Sequence, residues 1–281
     1  MKNDMLTKIS KNDLKDFIQD WSELTNIDTD KAFNLAIETI KMIDRNKEYF
    51  PVSPLMPAKS KPLLDLETRW YQSLENGNPD YTIYDDQYIL SDIWACWVRY
   101  SRAYLTSINS EKSLFGKSIV SDMSDIKVVA DLGNGFGYTT ATLKQFFPNA
   151  KVYGTNFKNG IQWKLASKNA EHYDFKMAET IDEIDGSIDL IFASEYMEHI
   201  EKPVDHLVEI VTKKKPRYFI FANSFGTRSI GHFNNYICNN KIMEGKSVSR
   251  FFNTTLRSMG YENIKTKCWN NKPTYWKRNE T

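Results

Sequence analysis

The chain has 281 residues, 41% hydrophobic and 26% charged, with 37 basic side chains against 36 acidic ones. That length holds one large domain or a domain with an added subdomain, and so even a charge balance gives no overall field to recruit nucleic acid or membrane. Three scattered cysteines (Cys96, Cys238, Cys268) offer neither metal-ligand pairs nor a disulfide framework, and neither a signal h-region nor a bilayer-spanning run is present, so a reduced, cytoplasmic setting is expected.

Residues 1–120 read as a helical N-terminal region, an acceptor cap or interface, and 121–281 as a second, α/β unit. Leu14, Phe17, Ile18, Trp21 and Leu24 fall at helical spacing, and a second helix is expected from Thr29, as N-cap, to about Ile43. Pro51, Pro54, Pro57 and Pro62 break regular structure. Leu63 to Leu74 reads as helix again. Asp85 to Ile108 carries an aromatic pattern (Tyr88, Ile89, Ile93, Trp94, Trp97, Tyr100, Tyr104) that suits core packing, with a substrate-stacking wall as the alternative.

From Lys127 short apolar runs alternate with helical stretches, the signature of a parallel sheet covered on both faces. Strands are expected near 127–132, 151–155, 188–193 and 217–222, with a weaker one near 172–176. Ser249 to Met259 reads as a helix closed by Gly260. Tyr261–Trp269, the turn Asn270-Asn271 and Pro273–Lys277 read as an antiparallel pair.

Between the first strand and the helix Thr139–Phe147, which Pro148 stops, lies Asp131-Leu-Gly-Asn-Gly-Phe-Gly137. Its glycine spacing differs from the dinucleotide fingerprint G-x-G-x-x-G, and the lysine of a P-loop is missing. The segment resembles the first motif of the class I, Rossmann-like S-adenosylmethionine-dependent methyltransferases. The resemblance covers residues 120 to 280. It implies a doubly wound, mostly parallel seven-stranded sheet with a terminal antiparallel hairpin, and S-adenosylmethionine as cofactor. Gly133, Asn134, Gly135 and Gly137 would wrap the methionine part, with Asp131 near its amino group; a carboxylate suits a ligand that carries an ammonium and a sulfonium. At the end of strand two, Asn156 stands where the family usually has an acid for the ribose hydroxyls, or else it only shapes a turn. Met177 and Ala178 fall where the adenine is met, with Glu179 as the alternative polar contact, and Ser194 closes strand four beside the cofactor.

Strand four runs into Glu195-Tyr-Met-Glu198-His199-Ile-Glu-Lys-Pro203, which resembles the fourth motif of the small-molecule methyltransferases of this class. His199 has the intrinsic pKa of a base and Glu195 the position; the plainer reading of His199 is a helix-face residue. Glu195-x-x-Glu198-His199 also resembles the arrangement in small-RNA 2′-O-methyltransferases and quinone-biosynthesis O-methyltransferases. The likeness to the small-RNA enzymes implies a magnesium site, with Glu195, Glu198 and His199 converging on one helical turn and His232 as the fourth group. His206 reads as a surface residue, and Lys213–Lys215 with Arg217 as a solvated loop.

The leading expectation is a methyltransferase acting on a hydroxyl or amine of a small molecule, such as a sugar or nucleotide-linked metabolite. The N-terminal helices and the segment 224–250 would close over the acceptor. One alternative is a nucleic-acid methyltransferase that uses the basic–aromatic end (Trp269, Lys272, Tyr275, Trp276, Lys277, Arg278). The charge balance and the missing N/D-P-P-Y/W/F tetrapeptide stand against it. The other alternative is a non-catalytic cofactor-binding scaffold.

Overall fold

A computed structural model describes residues 15–34, 61–91, 93–94, 123, 125–264 and 274–279. Its strands are β1 (Val128–Leu132), β2 (Lys151–Thr155), β3 (Lys176–Ala178), β4 (Leu190–Ser194), β5 (Tyr218–Ala222), β6 (Asn235–Cys238), β7 (Lys241–Glu244), β8 (Tyr261–Ile264) and β9 (Thr274–Arg278). Its α-helices are α1 (Lys15–Thr25), α2 (Lys61–Glu75), α3 (Tyr138–Phe146), α4 (Ile161–Tyr173), α5 (Pro203–Lys214) and α6 (Gly245–Ser258).

Seven strands form one sheet in the order β3-β2-β1-β4-β5-β9-β8. The pairs among β1–β5 are parallel, and β9 joins β5 and β8 antiparallel. β5 (Tyr-Phe-Ile-Phe-Ala) is buried along its whole length, as a strand covered on both faces must be. Alternate side chains go to opposite layers. Leu132, Ile191, Ala193, Phe219 and Phe221 join Val204, Leu207, Val248 and Phe252 of α5 and α6. Val129, Leu190, Phe192 and Ile220 join Ala141, Leu143 and Ala170 of α3 and α4. The strand order reverses between β1 and β4, so the crevice at their carboxyl ends is where such a sheet takes a ligand.

The described N-terminal segments are packed into these layers. Leu66, Trp70 and Tyr71 of α2, with Ile83 and Ile89, share the layer that holds α5 and α6. Ile18 and Trp21 of α1, with Leu90 and Trp94, enclose Phe136, Tyr138 and Leu165. Trp21 stacks on Trp94 at 5.3 Å and meets Phe136 edge-on at 5.4 Å, so Trp94 and Ile89 are core residues, as packing predicts.

Several local expectations are corrected. Asp28, not Thr29, caps the helical stretch that begins at Thr29: its Oδ1 accepts from the amides of Asp30 and Lys31, both at 3.0 Å. Residues 172–173 belong to α4, which ends at Asp174 with φ 56°, so the third strand starts at Lys176. α6 begins at Gly245 rather than Ser249. The hairpin β6–β7 was not expected. Its two-residue turn is Asn239-Asn240, with φ of 50° and 60°, a turn type that favours Asn. The expected helix beyond residue 34, the four-proline segment except Pro62, the aromatics beyond Trp94, and Cys96, Cys268, Trp269, Lys272 and the 270–271 turn lie outside the described residues.

Candidate active site

On the β1–β3 side the backbone makes the crevice. Gly133, Gly135 and Gly137 have φ of 64°, 53° and 84°, values that cost an L-residue energy. A Cβ on Gly133 would lie 2.4 Å from Cδ2 of Tyr196, so the Tyr196 ring rests directly on the loop. A Cβ on Gly135 would meet nothing nearer than Gln162 Oε1 at 3.7 Å, so the face where a side chain would stand is open. Asn134 is buried. Its amide donates to the Thr155 carbonyl at 3.0 Å, its Nδ2 lies 3.3 Å from Met177 Sδ, and its Oδ1 has no hydrogen-bond partner among the described residues.

Asp131 is buried within β1, where its Oδ2 accepts from the Thr140 hydroxyl at 2.7 Å. Burial pushes its carboxyl up to about 7, against that hydrogen bond. Asn156 is committed inside the protein. Its Nδ2 donates to the Gly135 carbonyl at 2.9 Å and its Oδ1 accepts from the Phe157 amide at 2.8 Å. The residue therefore clips the glycine loop. Ala178 is buried, Met177 and Ser194 are half-buried, and Glu179 is exposed and ion-paired with Lys158 at 3.2 Å.

On the β4–β5 side the crevice is made of ionisable side chains. Glu195 follows β4 with φ 51°, a strained conformation for a non-glycine residue, and its side chain is exposed. Met197–His199 form a single 3-10 turn, so Glu195 and His199 do not share the helical turn expected of them. Glu198 is fully buried, and its Oε1 accepts from the Ser224 amide at 2.6 Å. Its carboxylate thereby pins the loop between β5 and β6.

That loop delivers His232, which is buried. Its Nδ1 lies 2.8 Å from the Thr227 carbonyl and its Nε2 4.0 Å from Glu195 Oε2. The His199 ring stands perpendicular to it, centroids 4.7 Å apart, and His199 Nδ1 is 2.7 Å from the Tyr84 hydroxyl. Burial, with the His232 ring beside it, holds His199 down to about 3, against the Gly231 carbonyl, which favours its protonation. Glu195, Glu198 and His232 bring one ligand atom each within 4.8 Å of one another; His199 is not in this group.

Three of the residues that build this side were not singled out as site residues from the sequence. Trp70 Nε1 donates to the His232 carbonyl at 2.7 Å, Tyr71 Oη donates to the Ser229 carbonyl at 2.9 Å, and Tyr84 meets His199. Trp70 and Tyr71 fall in the expected helix Leu63–Leu74, and Tyr84 lies in a 3-10 turn outside every expected element. His206 is corrected as well: it is half-buried, with Nε2 3.1 Å from the Tyr196 hydroxyl, and so stands behind the ring that covers Gly133. Lys213 and Lys214 end α5 rather than forming a loop, and Lys214 is buried with its Nζ donating to the Ile184 carbonyl. In the basic–aromatic end, Tyr275 and Trp276 are buried in the sheet.

Residues 130–221, from β1 through β5, match the family model described as a methyltransferase domain. The chain carries a class I methyltransferase domain. The family implies S-adenosylmethionine as methyl donor. Among solved structures, an O-methyltransferase family protein from Burkholderia thailandensis overlays with a TM-score of 0.51 at 11% identity, over 88% of this chain and 72% of that one. Mitomycin 7-O-methyltransferase gives 0.47 at 11% identity, over 77% and 67%. A small RNA methyltransferase gives 0.41 at 12% identity, over 58% and 24%. At such identities the overlay with the first shows the methyltransferase fold alone. No curated protein sequence matches the chain. No described helix is long and apolar enough to cross a membrane.

Proposed function

We propose that this methyltransferase methylates a hydroxyl group of a small-molecule acceptor at the ends of β4 and β5. The observation that carries the reading is the meeting of two imidazoles and the Glu195 carboxylate beside the glycine loop, His232 Nε2 standing 4.0 Å from Glu195 Oε2. An oxygen acceptor must lose a proton as it is methylated, and a base at the acceptor serves that need.

The donor side fits S-adenosylmethionine. Gly135 leaves open the face where a side chain would stand, and the Asn134 Oδ1 is a buried acceptor that a ligand N–H can satisfy. Asp131 supplies a carboxylate whose ionised form a ligand ammonium would stabilise. Met177 and Ala178 suit the adenine ring, with Ser194 at the end of β4 bordering the same crevice. Asn156 acts by holding Gly135. When bound, the cofactor supplies a methyl group already activated by its sulfonium. The chain's part is to align the acceptor, exclude water and take the proton.

Calorimetry with S-adenosylmethionine tests this reading. Micromolar binding that Gly135→Arg abolishes is expected, because a side chain there fills the bare face of the loop. Absence of binding by the wild-type chain rejects it.

The 4.8 Å grouping of Glu195, Glu198 and His232 favours a second reading, a divalent ion such as magnesium at the acceptor. Two carboxylates and an imidazole are a suitable donor set. Here the expected four ligands become three, since His199 turns to Tyr84. Magnesium or manganese titration of the wild type against Glu195→Gln decides it: equal heats in both remove the ion. The buried Tyr275 and Trp276 weigh against a nucleic-acid acceptor at the basic–aromatic end, because stacking needs open rings.

A further inference from the structure

The ribose of S-adenosylmethionine carries two neighbouring hydroxyls, and a carboxylate can accept a hydrogen bond from each. The end of β2 has no such group to offer. Asn156 has both polar atoms engaged, Nδ2 on the Gly135 carbonyl and Oδ1 on the Phe157 amide. The carboxylates nearby are also engaged: Asp131 is buried against the Thr140 hydroxyl, and Glu179 and Glu183 share Lys158 at 3.2 and 3.1 Å. A carboxylate for the ribose has to come from another segment.

One reaches this edge of the crevice from the N-terminal region. A Cβ on Gly160, the residue before α4, would stand 3.4 Å from Asp85 Oδ1. Two residues further on, Gln162 borders the open face of Gly135. Asp85 is exposed, and among the described residues its carboxylate has no hydrogen-bond or ion-pair partner. Its backbone is nevertheless fixed. It ends the 3-10 turn Tyr81–Asp85, in which Ile83 is buried. Asp80 Oδ1 accepts from the Thr82 amide at 3.1 Å at the start of that turn, and Arg69 Nε holds the Asp80 carboxylate at 2.8 Å. The Asp86 amide closes the turn on the Ile83 carbonyl at 3.2 Å. Tyr84 reaches the other way, its hydroxyl 2.7 Å from His199 Nδ1. Two successive residues thus reach the segment after β4 and the segment after β2, so the turn spans the crevice between them.

We propose that Asp85 is a cofactor-binding residue whose carboxylate accepts the ribose hydroxyls of S-adenosylmethionine, while the glycine loop holds the methionine end. Asp85 lies before residues 130–221, which match the methyltransferase model, so no motif of that model marks it. The start of α4 has no side-chain cap, and its unpaired amides favour a carboxylate at this place. A carboxylate brought in from the Tyr81–Asp85 turn also leaves Asn156 to hold Gly135. The inference rests on the reading of the crevice as an S-adenosylmethionine site.

The test is calorimetry on the full chain with S-adenosylhomocysteine and its 2′-deoxy and 3′-deoxy analogues. The wild type should bind at least one deoxy analogue about tenfold more weakly than the parent, the loss of one hydrogen bond to a charged group. Asp85→Ala should weaken the parent by about tenfold and bring all three ligands within about threefold of one another. Asn156→Ala should weaken all three by the same factor, because it loosens the loop and leaves the ribose contact in place. An Asp85→Ala variant that keeps the wild-type preference for the parent overturns the proposal, as does a preference that Asn156→Ala removes. Equal binding of the parent and both analogues by the wild type overturns it whether or not Asp85→Ala folds. The two levels separate on the wild type. A chain that binds neither S-adenosylmethionine nor S-adenosylhomocysteine removes the cofactor reading and the proposal with it, whereas binding with a ribose preference independent of Asp85 removes the proposal alone.

Discussion

At the ends of β1–β3 the crevice is lined by backbone and small residues whose supports come from the same unit: Asn156 holds Gly135, and Thr140 holds Asp131. At the ends of β4 and β5 it is lined by carboxylates and imidazoles whose supports come from far away in the chain, with Trp70 bonded to the His232 carbonyl across 162 positions. The donor is common to the whole family, so a local motif is enough to receive it. The β4–β5 end is assembled from α2, the Tyr84 turn and the β5–β6 loop, which meet only through long-range contacts.

That contrast is easiest to break at Trp70. The side chain is fully buried against Phe233 at 5.5 Å and carries the His232 bond. Trp70→Ala should cost about 3–5 kcal/mol, read from urea unfolding. A midpoint equal to wild type would mean that α2 is not part of the acceptor side's core.

Asp131 tests the donor side. Its value is raised from 3.8 to about 7, so the stability of the protonated form is complete below about pH 4 and is lost as pH rises through about 7. Asp131→Asn should therefore stabilise the ligand-free chain above pH 7 by on the order of 2–4 kcal/mol. It should have no effect at pH 4, and it should weaken S-adenosylmethionine binding. Melting curves at the two pH values check the sign; equal shifts at both would remove the ionisation argument.

Asn156 sharpens the comparison. Restoring the family's acid with Asn156→Asp places a carboxylate oxygen where Nδ2 now donates to the Gly135 carbonyl. Cofactor affinity should fall by roughly tenfold, about the worth of one hydrogen bond. A rise in calorimetric affinity would show that the ribose, not the loop, governs this position. The smallest effect is expected at the exposed rim. Arg228 lies 4.1 Å over the Tyr71 ring and 3.3 Å from Glu67, yet Arg228→Met should change stability by less than about 1 kcal/mol in thermal melts.

The same contrast explains what could be read in the sequence. β2 has its expected bounds, and β1, β4 and β5 are within two residues of theirs, because continuous apolar runs ending in glycine or polar residues are local signals. The Asp131–Gly137 loop was legible for the same reason. The hairpin β6–β7 was missed although Asn239-Asn240 between alternating residues is a turn signal. Tyr84, Trp70 and Tyr71 had no such signal, since their partners at His199, His232 and Ser229 are brought near only by folding. The expectation that Glu195, Glu198 and His199 share one helical turn failed because Glu195 turns left-handed at the strand end.

The Trp70–His232 bond also has a consequence for folding order. Contacts that close a loop of some 160 residues form slowly, after local pairings are in place. The parallel strands and the glycine loop can form while α2 is still undocked. A chain caught at that stage is expected to hold the glycine loop while the loop that carries His232 is still without its Trp70 bond.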